Sequence, residues 1–308
     1  MPAERERLAQ IKPNLERRAW IYNLTREFFR GNGFLEVETP VRVPAIAPEI
    51  NISPVHSDGW YLITSPELHM KRLLAAGYEK IFQISHCFRK HERGNFHNPE
   101  FSMLEWYRTN ANYADIISDA EQLVSTIIHK IQATSILRYQ GKDIDMQLPW
   151  PRISVKNAFI QSAGWDPVSA FDAERFDYDM ATIVLPSLNQ ARPIVLTEYP
   201  TAAASLARIK AADSQVAERA EVFIGGMELA NAYSELTDAA EQRQRFVQEA
   251  AQIERECGIK VPVSESFLEA VTHLPECSGI AMGMDRLVML LCDAGSIGEV
   301  CAFSEDNI

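Results

Sequence analysis

The segments FRKHERGNFHNPEFSMLEWYR (residues 88–108) and GIAMGMDRL (residues 279–287) carry the strongest structural signal in this chain. In the first segment, an arginine precedes a polar loop and a run in which acidic and aromatic residues alternate. The second is a run of small residues that leads into a predicted helix beginning at Asp285-Arg286. Because successive side chains of a strand point to opposite faces, both runs predict sheet faces lined with functional groups.

Residues 79–90 and 101–108 are predicted to be neighbouring strands, joined by the polar loop. Alternation leaves Arg89 at the end of the polar face of the first strand, and Glu105 on a face of the second. If the strands pair, Arg89 and Glu105 lie on one face. The planar guanidinium would bind a phosphate or a carboxylate through two nitrogens. A purely structural salt bridge is the alternative that these strands leave open.

A β-hairpin is predicted around the two-residue turn Gly225-Gly226. Regular pairing across this turn places Glu221 opposite Ala230 and on the same face as Glu228. Two carboxylates on one face repel each other unless a cation lies between them, and Mg²⁺ is a suitable cation. A solvent-exposed polar face is the alternative.

The other periodic segments complete a prediction of the fold. They predict helices at 15–30, 66–76, 113–131 and 239–257, strands at 34–38 and 193–199, and a strand followed by a helix over 277–291. Residues 150–190 mix prolines, aspartates and short apolar runs, which indicates a small helical insertion in a single domain, residues 1–308. Helices interspersed with strands that pair over long separations predict an α+β fold with a largely antiparallel sheet.

Composition restricts the possible classes of protein. The 308 residues, 46% of them hydrophobic, can bury a large core. No apolar run approaches the roughly 20 residues that span a bilayer, and no leader pattern is present, so we expect a cytoplasmic protein without a membrane partner. The net charge of −12 argues against nucleic acid as the main partner. The basic N-terminal stretch could be a solvated helix face or a docking patch for an acidic macromolecule.

Several strings resemble known motifs. HNPEF (97–101) and MLEWY (103–107) are similar to motif 2 of class II aminoacyl-tRNA synthetases, and CSGIAMGMDRL (277–287) is similar to motif 3. The predicted helix and strand that end at Pro40 resemble motif 1, which forms the dimer interface in that family. TSPELHMKRLL (64–74) and VAERAEVFIGGMELAN (216–231) narrow the resemblance to the lysine-specific branch, and most of all to paralogues that modify elongation factor P.

The resemblance covers about residues 13–303 and implies the class II synthetase catalytic fold, an antiparallel β-sheet flanked by helices, in a homodimer. It also implies two sets of site residues. The ATP-binding set is Arg89, Glu92, His97, Asn98, Glu100, Phe101, Glu221, Glu228 and Arg286, with Mg²⁺ on Glu221 and Glu228. The amino-acid-binding set is Glu67, Arg89, Glu105, Tyr107, Asn231, Tyr233, Glu235 and Ala281. Arg89 and Arg286 would be catalytic, because they would stabilise charge on the α-phosphate.

The chain departs from the family pattern at two positions. His91 stands where motif 2 usually has a glutamate, and Glu92 is the candidate to replace it. Ala281 stands at the middle glycine of motif 3. Strand alternation also conflicts with the resemblance. Both Asn231 and Glu228 are implied to face the site, but they fall on opposite faces of a regular strand. We therefore predict a β-bulge between them.

The resemblance implies an enzyme that uses ATP and Mg²⁺ to adenylate lysine or β-lysine, and passes the acyl group to a lysine side chain of elongation factor P. The sequence shows no segment before Leu15 that could read an anticodon, which makes tRNA a poor candidate for the acceptor. The alternatives are a stand-alone lysine-adenylating ligase acting on tRNA or a small amine, and a catalytically idle, lysine-sensing regulator. The lysine isomer, the acceptor and the effect of a short 165–192 segment on protein docking stay open.

Overall fold

The computed structural model describes residues 2–305, with side chains from residue 4 onward. The α-helices are α1 (Pro2–Gly31), α2 (Glu67–Ala75), α3 (Tyr113–Gln132), α4 (Val155–Ser162), α5 (Ala173–Asp179), α6 (Leu185–Ser187), α7 (Ala239–Cys257), α8 (Glu265–Val271) and α9 (Met284–Cys292). The strands are β1 (Leu35–Glu36), β2 (Arg42–Val43), β3 (His56–Ser57), β4 (Trp60–Leu62), β5 (Lys80–Phe88), β6 (Glu100–Thr109), β7 (Ile136–Tyr139), β8 (Lys142–Asp145), β9 (Arg152–Ser154), β10 (Ile194–Pro200), β11 (Val216–Ile224), β12 (Met227–Ser234) and β13 (Cys277–Gly283).

The chain forms two compact units. The first unit comprises residues 1–109, 237–275 and 282–308, and the second comprises residues 110–236 and 276–281. Both units combine helices with strands, as an α+β fold requires. The assignment of residues 1–308 to a single domain stays a prediction. Within residues 2–305, no helix combines the length and the apolar character needed to cross a bilayer.

In the first unit, β5 pairs antiparallel with β6 and parallel with β1, while β2, β4 and β3 form a small antiparallel sheet. Helices α2 and α9 pack on β6. An aromatic cluster forms the core beneath α1. The Phe29 ring stacks on Phe82 with centroids 4.7 Å apart, and lies 5.1 Å from the ring of Trp106. These apolar side chains hold α1 against the β5–β6 pair.

Helix α1 begins at Pro2, earlier than the predicted residue 15, and Pro13 lies inside it. Its basic residues bind the C-terminal part of the same unit. Arg7 donates to the Ala302 carbonyl at 2.5 Å, and Arg17 donates to the Leu291 carbonyl at 3.0 Å. These two arginines therefore serve the fold itself, a role that neither sequence interpretation of the basic stretch had foreseen.

In the second unit, β10 pairs parallel with β9 and antiparallel with β11, and β11 pairs antiparallel with β12. Helix α3 packs against β11 and β12, and α4 packs against β10. A capping box fixes the start of α3, since the side chains of Asn112 and Asp115 each accept from the other residue's backbone N–H.

The segment of the predicted insertion contains α4, α5, a π-helical turn (Met180–Val184) and α6. Its small core is aromatic, with the Phe159 and Phe176 rings stacked at 4.9 Å. The indole N–H of Trp165 donates to Asp179 at 2.8 Å, which satisfies a half-buried polar group. These contacts order the segment within the second unit.

Candidate active site

Several of the predicted site residues lie on one face of the β5–β6 pair, together with Arg89. The register places Gln83 opposite Glu105, and Cys87 opposite Phe101. Arg89 follows β5 directly, and its guanidinium carbon lies 5.2 Å from the centre of the Phe101 ring. Phe101 and Glu105 share a face by strand parity. The prediction that Arg89 and Glu105 lie on one face is therefore confirmed.

Arg89 is held by a neighbouring carboxylate. Its Nη1 lies 3.1 Å from Oε1 of Glu92, and its backbone N–H donates to the Pro99 carbonyl at 2.9 Å. Burial lowers the pKa of Arg89, but the charges of Glu92 and Glu49 outweigh burial and raise it. The guanidinium stays positive, as anion binding requires. That Glu92 replaces the motif 2 glutamate absent at His91 stays a prediction.

The loop between β5 and β6 brings His97 to Arg286, which lies in the first turn of α9. Nη2 of Arg286 lies 2.6 Å from Nε2 of His97. A guanidinium can only donate, so Nε2 accepts and the neutral imidazole carries its proton on Nδ1. Burial and the charge of Arg286 both lower the pKa of His97. Two residues of the predicted ATP-binding set therefore lie in contact.

Asn98 and Glu100, two members of the predicted ATP-binding set, make contacts within the protein. The Asn98 side chain donates to the Glu100 carbonyl at 2.5 Å and accepts from the Glu305 N–H at 3.0 Å. The Glu100 carboxylate lies 3.2 Å from Nδ1 of His86. By parity, Glu100 lies on the opposite face of β6 from Phe101. Their roles in ATP binding stay predictions.

Glu105 provides a buried carboxyl group on the same face as Arg89. Its side chain is only 1% exposed. Ser65 donates to Oε1 at 2.6 Å, and Tyr107 lies 2.8 Å from Oε2. Burial and the charge of Glu67 raise the pKa of Glu105 to about 8, although the two hydroxyl groups act in the opposite direction. A carboxyl in this position can receive a cationic group of a ligand.

Glu67, predicted to bind the amino acid, is the first residue of α2. The N-cap of α2 is Pro66, and the hydroxyl of Ser65, one residue earlier, accepts from the Glu67 N–H at 3.0 Å. The Glu67 carboxylate lies 2.5 Å from Nζ of Lys71, one helical turn further on. Lys71 is buried, and both members of the pair act on the nearby Glu105 carboxyl, Glu67 raising its pKa and Lys71 lowering it.

The β11–β12 hairpin contains a bulge. Phe223 lies opposite Glu228, but the next residue of β11, Val222, lies opposite Ala230. Leu229 is therefore an extra residue on β12, directly after Glu228. The predicted bulge between Glu228 and residue 231 is confirmed.

The bulge changes which side chains share a face. Glu221 lies opposite Asn231, and Tyr233 follows two residues later on the same face. The prediction that Ala230 pairs with Glu221 is wrong, because the extra residue moves the register by one. Glu228 shares this face as well, so the parity conflict in the sequence is resolved.

Glu221 is held by two further side chains. Arg219 donates to Oε1 and Tyr199 donates to Oε2, both at 2.6 Å. Arg219 also lies over the Tyr199 ring at 4.5 Å and donates to the Ala203 carbonyl at 2.7 Å. Burial lowers the pKa of Arg219, but Tyr233 and Glu221 outweigh burial and raise it. The orientation of the Glu221 carboxylate is therefore fixed.

The remaining predicted residues of the second unit lie on β12, just beyond it, and on β13. The Asn231 amide donates to the Tyr233 hydroxyl at 3.1 Å. Glu235 is 1% exposed, and its backbone N–H donates to the Cys277 carbonyl at 3.0 Å. Ala281 is half-buried on β13. Glu235 thus supplies a second buried carboxyl group.

The first unit brings together most of its predicted residues. They lie on the face of Arg89, on the adjacent helix α2 or around the β5–β6 loop: Glu67, Arg89, Glu92, His97, Phe101, Glu105, Tyr107 and Arg286. Glu100 lies on the other face of β6. In the second unit, Glu221, Glu228, Asn231 and Tyr233 share one face.

Glu221 and Glu228 suit a hard cation, which prefers carboxylate oxygens. Within residues 2–305, no group of three or more His, Cys, Asp or Glu side chains could hold a metal by itself. Two carboxylates are enough for Mg²⁺ when nucleotide phosphates supply further oxygens. Each Glu221 oxygen keeps a second lone pair beyond its hydrogen bond. These residues therefore fit Mg²⁺ that arrives with ATP.

Sequence reasoning missed Lys71, Arg219 and Tyr199. Two of them carry a local signal. Lys71 lies four residues after Glu67 in a helix, which predicts an ion pair. Arg219 lies two residues before Glu221 in a strand, which predicts a shared face. Tyr199 lies on another strand, and no local pattern links it to Glu221.

Comparison with known proteins identifies the family of this chain. A family model described as "tRNA synthetases class II (D, K and N)" matches residues 5–307. Relatives from Salmonella paratyphi A (strain ATCC 9150 / SARB42) and Salmonella schwarzengrund (strain CVM19633) are both named elongation factor P–(R)-β-lysine ligase. Each is 38% identical over 312 residues, which cover 96% of this chain and 96% of the relative. The chain belongs to the class II tRNA synthetase family of the D, K and N group.

Proposed function

We propose that this chain is an ATP-dependent ligase that adenylates (R)-β-lysine or lysine and transfers the acyl group to a lysine side chain of elongation factor P. Membership of the family supports the adenylation chemistry, and the names of the relatives support the amino acid and the acceptor. The observation that carries the proposal is the buried Glu105 carboxyl on the face that also holds Arg89. This pair suits a substrate with an ammonium group at one end and a carboxylate at the other.

In the first step, a carboxylate oxygen of the amino acid attacks the α-phosphorus of ATP. The bond from that phosphorus to pyrophosphate breaks, and an aminoacyl adenylate forms. Arg89 and Arg286 would offset the charge that develops on the phosphate oxygens. Mg²⁺ held by Glu221 and Glu228 would neutralise charge on the nucleotide phosphates. No covalent enzyme nucleophile is required, since the mixed anhydride already carries AMP as a leaving group.

In the second step, the side-chain amine of the acceptor lysine attacks the carbonyl carbon of the adenylate. The bond from this carbon to the phosphate oxygen breaks, AMP leaves with the bonding electrons, and the new amide nitrogen loses a proton. The protein contributes mainly by holding the reacting groups in a productive orientation.

The other predicted residues keep their roles in this proposal. Glu92, His97, Asn98, Glu100 and Phe101 would bind the nucleotide, and Glu67, Tyr107, Asn231, Tyr233, Glu235 and Ala281 would bind the amino acid. The proposed setting is a cytoplasmic homodimer, because elongation factors act in the cytoplasm and C₂ dimers are the commonest assembly. A tRNA acceptor is not part of the proposal.

The test offers the purified enzyme ATP, Mg²⁺ and labelled α-lysine or (R)-β-lysine, with either elongation factor P or total tRNA as acceptor. We expect lysine-dependent pyrophosphate exchange, and label on the protein acceptor alone. Label on tRNA would favour a stand-alone tRNA ligase instead. A protein that binds lysine but supports no exchange would favour the idle regulator. Arg286→Ala should abolish exchange while Arg243→Ala, on the exposed surface, should not.

A further inference from the structure

Glu105 lies in surroundings that disfavour its ionised form. The hydrogen bonds at its two oxygens come from the neutral hydroxyls of Ser65 and Tyr107, at 2.6 and 2.8 Å. Since the side chain is 1% exposed, water does not solvate the carboxylate. Burial of a charge without full compensation favours the neutral form of the group.

The charged and titratable groups around Glu105 come from α2, β5 and β6. Helix α2 contributes Glu67 and Lys71, β5 contributes Cys87, and β6 contributes Tyr107. Lys71 lies 2.5 Å from the Glu67 carboxylate, so much of its charge is already balanced. Burial raises the pKa of Cys87 to about 12, which leaves this thiol neutral. A further positive charge bound among these groups would therefore be compensated only if Glu105 ionises.

We propose that burial beside neutral hydroxyls keeps Glu105 a neutral carboxylic acid in the protein without substrate, and that the side-chain ammonium of the substrate displaces this proton to solvent. The O–H bond of Glu105 breaks, the proton passes to water, and the carboxylate then accepts an N–H of the ammonium, which keeps its own protons. The substrate ammonium takes the place of the proton on Glu105, so the buried carboxylate is never left without a compensating positive charge. This inference rests on the proposed function, because it takes Glu105 to be the group that receives the substrate amine.

The exchange makes binding dependent on pH. A pKa of about 8 means about ten neutral Glu105 side chains for each ionised one at pH 7, and the reverse at pH 9. Below this pKa, binding must include loss of the proton. Affinity for a cationic amine should therefore rise about tenfold from pH 6 to pH 7 and level off above pH 9.

The first experiment follows Glu105 in the enzyme without substrate, by ¹³C NMR of glutamate carboxyl carbons, with assignment through Glu105→Gln. We expect titration near pH 8. Ser65→Ala removes a donor to the carboxylate and should move the titration to higher pH. Glu265→Gln is the control, because Glu265 is an exposed partner of Arg243. Infrared spectroscopy of the wild-type protein measures the same proton without a substitution. We expect a carboxylic-acid band at pH 7 that disappears when lysine is added. Titration of Glu105 near pH 4–5 would overturn the inference.

The second experiment measures lysine binding by calorimetry in buffers of different ionisation enthalpy. The difference in proton release between wild type and Glu105→Gln should be about nine-tenths of a proton per site at pH 7 and about one-tenth at pH 9, because the amines of lysine contribute equally to both. The ratio of wild-type to Glu105→Gln affinity should grow about tenfold from pH 6 to pH 7 and become constant above pH 9. Lysine binding without proton release at pH 7 would refute the exchange. Failure to bind lysine at any pH would instead count against the proposed function, since the NMR titration involves no substrate.

Discussion

Single buried charges carry much of the chemistry proposed for this enzyme, and each has a nearby group that balances it. Lys71 and Glu67 form an ion pair in which the lysine side chain is 1% exposed and the glutamate side chain 12%. Arg219 and Tyr199 hold Glu221 in the same way. In such pairs, loss of one partner leaves the other buried and uncompensated, which makes single substitutions informative.

The first prediction concerns this ion pair. Lys71→Met should lower the free energy of unfolding by about 3–5 kcal/mol, because the Glu67 carboxylate loses its partner in a buried site. The double variant Glu67→Gln/Lys71→Met should recover part of this loss. Urea unfolding of the three proteins measures both effects. A single variant as stable as the wild type would show that water compensates Glu67.

The second prediction concerns Ala281, the residue in place of a family glycine. Its methyl group should crowd the α-amine of ordinary lysine more than an amine carried on the β-carbon. A group of this size changes specificity by roughly 10- to 200-fold. We expect Ala281→Gly to move the ratio of kcat/KM toward α-lysine. Adenylation kinetics with both isomers on both proteins test this, and an unchanged ratio would leave the alanine as a packing residue.

At the scale of elements, the β11–β12 hairpin shows how a turn and a bulge together place side chains. The turn has left-handed backbone at Gly225, with φ 62°, and at Gly226, with φ 84°. It fixes Ile224 opposite Met227, and the extra residue Leu229 then moves the following residues onto the face of the carboxylates. Neither device would place them there alone.

The third prediction compares the two turn glycines. A Cβ at Gly226 would lie 3.0 Å from Nε2 of Gln190, the end of a flexible side chain, whereas a Cβ at Gly225 would lie 3.0 Å from the buried Tyr139 ring. Gly226→Ala should cost roughly 1–2 kcal/mol from backbone strain alone. Gly225→Ala should cost about 1–3 kcal/mol more, because the ring cannot move freely. Chemical denaturation of both variants checks the order, and equal losses would contradict it.

At the scale of the whole molecule, the N-terminal segment combines an internal role with a candidate interface. Arg7 and Arg17 of α1 bind carbonyl groups near the C-terminus within the first unit. Two large apolar side chains of the segment resembling motif 1 remain exposed in the single chain, Trp20 at 44% and Leu35 at 51%. Exposed apolar groups in this segment favour burial in a two-fold interface.

The fourth prediction follows for the oligomeric state. Light scattering at micromolar concentration should give twice the mass of one chain for the wild type. Trp20→Glu should shift it toward the monomer, since the change introduces charge into the apolar surface. Tyr178→Glu is the matched control, because Tyr178 is an aromatic residue exposed by 67% in the second unit. A wild-type mass of one chain would contradict the proposed homodimer.

Much of the local structure follows from the sequence alone. Helix α7 was predicted with its observed bounds, and β5, β6 and α3 within a few residues, because amphipathic periods and caps are local signals. Strand parity was enough to place Arg89 and Glu105 on one face. The parity conflict at Glu228 and Asn231 was enough to predict a bulge there, since period 2 admits no other solution within one strand.

Other features required the tertiary structure. The partner of Glu221 across the hairpin depended on which residue forms the bulge, and its hydrogen bond from Tyr199 comes from a strand far away in sequence. The first turns of α1 also contact carbonyl groups near the C-terminus, which no local pattern reveals. The protonation of Glu105 likewise depends on burial and on the neighbouring Glu67. The sequence determines the residue types and their periods, whereas desolvation and long-range pairing exist only once the chain has folded.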